Sequence, residues 1–116
     1  MKTMKTKLFI NGEEKTFTAP SFINVKMHKR AVELMLELNV DNPTPDELDT
    51  LIDFIVEVYG KQFTSEEFEE GFDGRQLNDK IAETLYGARG MDWAEIKKAY
   101  EKMAKENANE DKKEKN

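Results

Sequence analysis

The chain has 116 residues, a net charge of −6 and no cysteine, which suits one modest core and excludes disulfides, zinc–thiolate sites and a cysteine nucleophile. Its 38% hydrophobic and 36% charged residues lie towards the polar side of globular composition, so a folded core with a solvated tail is expected. The charge is uneven: residues 1–40 carry +3, residues 41–80 carry −9 and residues 81–116 balance; the acidic centre argues against nucleic-acid binding and either favours a basic partner surface or simply solvates helix faces.

Lys7-Leu8-Phe9-Ile10, then Asn11-Gly12, then Glu13 to Thr18 read as a β-hairpin, because Asn-Gly tolerates the positive φ of a tight turn. Loops of two or of four residues both place Leu8, Ile10 and Phe17 on one face. Pro20 ends the second strand. Asn24 is a helix cap, and Met27, Ala31, Leu34 and Leu38 form one helical face that Val32, Met35 and Leu36 widen. Thr44-Pro45-Asp46-Glu47 combines a cap, a proline at the first helical position and a capping box. Leu48, Leu51, Ile52, Ile55 and Tyr59 then form a buried stripe, with Phe54 and Val58 off it, and Gly60 is the stop. Thr64 with Glu67 makes a second capping box, stapled by Phe63 and Phe68. Asp73 with Gln76 begins a helix carrying Leu77, Ile81 and Leu85, and Asp92 begins the last, whose one face holds Trp93, Ile96, Tyr100 and Met103. From Lys105 to Asn116 there is no large apolar residue, the composition of a disordered segment.

The expected fold is therefore mainly α: an N-terminal β-hairpin followed by four to five short helices in a small bundle. One domain spans 1–104, with the hairpin over 5–19, helices over about 25–38, 45–59, 65–70, 74–87 and 92–104, and a disordered charged tail over 105–116. No apolar stretch is long enough to span a membrane. Met1 to Leu8 has lysines without a following apolar region, which argues against a signal peptide.

No catalytic constellation is present. His28 is the sole histidine and has no orienting partner or nucleophile nearby in sequence. The paired acids Asp46-Glu47, Glu66-Glu67 and Glu69-Glu70 lie at helix starts or on solvated faces. The segment from Asp41 to Asp53 lacks the spacing and central glycine of an EF-hand, and Gly71-Phe72-Asp73-Gly74 is too short for a phosphate loop. No enzyme activity, cofactor or metal is expected. The candidate partner-binding residues are Phe54, Val58, Trp93 and Tyr100. Phe54 and Val58 either face a partner or fill a second layer of the same core. Trp93 and Tyr100 are either a core face or, if the terminal helix packs on another protein, a binding surface.

The order of elements carries a resemblance over about residues 5–90. The hairpin around Leu8-Phe9-Ile10-Asn11-Gly12 and the helix Val25 to Leu38 lead into Asp46-Glu47-Leu48-Asp49-Thr50-Leu51-Ile52-Asp53. Phe54 to Thr64 follows, ending in Tyr59-Gly60-Lys61-Gln62-Phe63-Thr64, then the acidic Glu66 to Phe72 segment, Asp73-Gly74 and the helix around Leu77 to Leu85. This resembles the tail assembly chaperones of long-tailed, siphovirus-type bacteriophages and prophages of Gram-positive bacteria. The resemblance implies binding and solubilisation of the tape measure protein during tail tube assembly and self-association on that partner. It also implies displacement as the major tail protein polymerises, a place in the cytoplasm of the infected or lysogenic cell, and absence from the mature virion. A second class of function, an acidic adaptor or inhibitor that occupies a basic partner surface, is motivated by the −9 segment.

Overall fold

Residues 3–114 are described by a computed structural model, with side chains described as far as residue 107. Strands β1 (Lys5–Ile10) and β2 (Glu13–Thr18) pair antiparallel, with Ile10 opposite Glu13 and Thr6 opposite Phe17. The loop is thus two residues long. Asn11 and Gly12 take φ of 54° and 79°, both positive as a type I′ turn requires. Leu8 and Thr6 are buried, with Ile10 and Phe17 half-buried; Phe9 points to the opposite face and is 61% exposed.

An isolated hairpin is marginal in water, and here helices cover the outer edge of β1. The end of helix α3 (Ser65–Gly71) lies so close that a side-chain carbon on Gly71 would sit 2.5 Å from the Phe9 carbonyl oxygen. From helix α4 (Leu77–Ala88), Lys80 Nζ donates to the Lys5 carbonyl at 2.8 Å. Lys80 also donates to Glu83 at 2.8 Å and to the Tyr59 hydroxyl at 3.4 Å, so a buried ammonium ties the hairpin to the bundle.

Helix α1 (Val25–Glu37) is capped by Asn24, whose Oδ1 accepts from the Met27 amide at 2.8 Å. It buries Ala31 and Leu34 and packs on α4. The broad apolar face read from the sequence is only partly covered, since Leu36 is 82% exposed. Helix α2 (Pro45–Val58) starts in the expected capping box: the Glu47 amide donates to Thr44 Oγ1 and the Thr44 amide to Glu47 Oε1. It is the central helix, burying Leu51, Ile52, Phe54, Ile55, Val56 and Val58 between α3 and α4.

The second capping box, Thr64 with Glu67, opens α3. The expected staple forms, with the Phe63 and Phe68 rings 6.1 Å apart, and it is one step of a longer series. Phe17 meets Phe63 edge-on at 5.0 Å, and Phe68 stacks on Phe72 at 4.7 Å. Each such pair adds about 0.5–1.5 kcal/mol beyond its burial. A 3-10 turn over Gly74–Gln76, capped by Asp73, leads into α4, which buries Lys80, Ile81, Thr84, Leu85 and Ala88.

Helix α5 (Trp93–Glu114) extends past Ala104 into the segment read as a disordered tail. Its sequence there explains how a helix forms without a core. Ala, Lys and Glu are strong helix formers, and Glu101 lies four residues before Lys105, the favourable order for a charge pair. Residues 105–107 are exposed, so the segment adds no packing there. Among the described residues, no helix is long and apolar enough to cross a membrane.

Candidate partner-binding surfaces

The four residues singled out from the sequence fall into two groups. Phe54 and Val58 are each only 3% exposed and belong to the main core. In this structure they lie in a second layer of that core. Helical periodicity shows that α2 is apolar on two sides, but α3 and α4 cover both, which no pattern within α2 reveals. Trp93 and Tyr100, seven residues apart on one face of α5, are accessible instead. Trp93 is half-buried and stacks nearly parallel on Tyr86, ring centroids 5.4 Å apart, and its indole N–H has no hydrogen-bond partner among the described residues. Tyr100 is 58% exposed and Met103 57%. Burial, with the Tyr100 phenol adding to it, holds the Tyr86 hydroxyl above the ordinary tyrosine range, so Tyr86 is a neutral, polarisable platform for the indole.

Trp93 also forms one wall of a groove of ≈ 1070 Å³ between the start of α5, the exposed flank of α4 and the connector from β2 to α1. Met4, Ile23 and Phe72 line it, with Met91 and Trp93 on the α5 side. The floor is made by an absence. A side-chain carbon on Gly87 would come within 2.5 Å of Met4 Sδ, so the bare backbone of α4 lets the thioether lie flat. A second hollow of ≈ 590 Å³ lies over the outer face of the hairpin, where Phe9, Lys5 and Lys7 meet Gly71 to Asp73. The two share Phe72, Gln76 and Lys80 and so adjoin, a depression in two parts between Phe9 and Trp93.

Sequence reading missed this surface because its parts lie far apart in the chain. The alternation along β1 does place Phe9 opposite the core side, which was a usable signal. Polar side chains of the depression form ion pairs. Lys80 pairs with Glu83, and Lys97 Nζ lies 3.0 Å from Asp79. Burial, with the Glu83 charge adding to it, holds the Tyr59 hydroxyl above its usual range, so it stays neutral. Among the described residues, no group of three or more His, Cys, Asp or Glu side chains is placed to hold a metal ion.

A family model described as phage tail chaperone protein matches residues 1–116, the whole chain. Searches of curated proteins and of solved structures found no match. The chain belongs to the phage tail chaperone family.

Proposed function

We propose that this member of the phage tail chaperone family binds the tape measure protein and keeps it soluble while the tail tube is built. The match over the whole chain carries the reading. The physical support is an apolar surface that the fold leaves open: the depression from Phe9 to Trp93, and Tyr100 and Met103 beyond it. A long helical chain with apolar stripes needs such surfaces to cover it. Several copies act on one partner and leave as the major tail protein polymerises. The work is done in the cytoplasm of the infected or lysogenic cell, and the protein is absent from the mature virion. Trp93 and Tyr100 are the contact residues proposed from the sequence that remain available. Its partners are the tape measure protein and, at displacement, the major tail protein, and it needs no cofactor.

Many of the acids that suggested an adaptor are engaged locally. Glu47 and Glu67 close capping boxes, Asp53 accepts from Ser65, and Asp73 and Asp79 pair with Arg75 and Lys97. No particular observation favours that second reading. The test is co-expression with the tape measure protein from the same gene cluster: the soluble fraction of that protein rises if the proposal holds and stays unchanged if it fails.

A further inference from the structure

The depression described above has a shape and a charge that narrow what fits it. A helix about 10 Å across displaces on the order of 400 Å³ per turn, so the larger part, ≈ 1070 Å³, has room for about two and a half turns. An added strand is disfavoured. Along the outer edge of β1 the Lys5 carbonyl already accepts from Lys80 and the end of α3 at Gly71 crowds Phe9, which obstructs strand addition there. The lining is apolar at its floor and wall, through Met4, Ile23 and Trp93, and acidic at its rim. Asp79, Glu83, Asp92 and Glu95 stand against Lys80 and Lys97, and both lysines already pair with two of those acids. Among the described residues the lining thus carries four acids against two lysines. The two acids without a lysine partner, Asp92, which also accepts from the Ala94 amide, and Glu95, lie at the start of α5 beside Trp93.

Resting on the tape measure reading, we propose that this groove receives one face of an amphipathic helix of the partner, two to three turns long. Its apolar stripe is flanked by Lys or Arg residues that meet Asp92 and Glu95. The apolar stripe covers Met4, Ile23 and Trp93, and the basic flank supplies the specificity, since like charges at such a rim oppose docking.

Trp93 is the sole tryptophan of the chain and reports on the groove directly. The experiment titrates the full-length protein with two synthetic peptides of about 18 residues, long enough to be helical when bound. Both carry a leucine stripe, one flanked by lysines and the other by glutamates. Trp93 emission should change saturably with the lysine peptide, weaken as salt is raised, and respond at least about tenfold more weakly to the glutamate peptide. Ala94 is exposed and lines the groove, so Ala94→Lys should block it, lowering lysine-peptide affinity about tenfold or more with an unchanged melting temperature. Equal binding of the two peptides, or full binding by a folded Ala94→Lys variant, overturns the groove assignment. So does a wild-type oligomer that Ala94→Lys dissociates without peptide, because the occupant is then a second copy. Co-expression separates the two claims. If wild type and Ala94→Lys solubilise the tape measure protein equally, the chaperone reading stands and the groove falls. If wild type fails there but binds the lysine peptide in an Ala94-dependent way, the groove stands and the chaperone reading falls.

Discussion

Replacing Gly71 by alanine sets helix propensity directly against packing. Gly71 is the last residue of α3, and its backbone is not in the left-handed region. On propensity alone, Gly71→Ala should stabilise by up to about 1 kcal/mol. The structure reverses the sign. The new carbon would lie 2.5 Å from the Phe9 carbonyl oxygen and 3.0 Å from its nitrogen. Both are backbone atoms of a paired strand, so no side chain can swing aside. Moving α3 off β1 costs about 1–3 kcal/mol, as overpacking generally does. With an unfolding entropy of about 2.1 cal/mol/K per residue, 116 residues give about 4 °C per kcal/mol, so the Tm should fall by about 4–12 °C. Gly74→Ala is the control: nothing lies within 4 Å of its added carbon, and its Tm should hold or rise by up to about 4 °C. Thermal denaturation followed by circular dichroism measures both. A Gly71→Ala protein melting at or above wild type would refute the close approach of α3 to the hairpin.

Other perturbations test separate parts of the fold. Ile55→Ala should cost about 2–5 kcal/mol, because Ile55 is 1% exposed in the middle of α2, whereas exposed Glu69→Ala should stay within about 0.5 kcal/mol; urea midpoints compare them. Lys80→Met keeps the buried stem but leaves the Lys5 carbonyl, the Tyr59 hydroxyl and Glu83 without their donor, and should destabilise by about 1–3 kcal/mol. Backbone amides of Thr44 and Asn39 hold the Glu47 carboxyl below its ordinary range. Its contribution is therefore present above pH 4.5, its ordinary value, and is lost as pH falls through the depressed folded value. Glu47→Gln should flatten that part of the acid limb in a pH series of denaturation curves. Deleting residues 105–116 should leave the Tm within about 2 °C of wild type, since residues 105–107 are exposed and exposed positions contribute little.

The parts of the fold that were legible beforehand depend on neighbours in sequence. Asn11-Gly12 dictates its turn, and Thr44 with Glu47 and Thr64 with Glu67 satisfy amides within one helical turn. The fate of Phe54 and Val58 was not legible, because a helix with two apolar sides reads the same whether its second side meets α3 and α4 or a partner. The groove was hidden for the same reason: Met4, Ile23, Phe72 and Trp93 come from four separate segments. Lys80 shows the limit from the polar side. A lysine within a helix ordinarily reads as solvated, and partners far off in sequence, the Lys5 carbonyl and the Tyr59 hydroxyl, join Glu83 in accounting for its burial. Helix α5 passes Ala104 because its local propensity favours helix even without an apolar anchor.

The mass of the complex co-purified with the tape measure protein tests the central claim most directly. The protein spans 57 Å in its longest dimension, whereas a helical partner of roughly 300 residues would extend about 450 Å at 1.5 Å per residue. Light scattering on the purified complex should give one tape measure chain with several copies of this protein. Recovery of the tape measure protein alone, with no copy of this chain bound, would contradict the account.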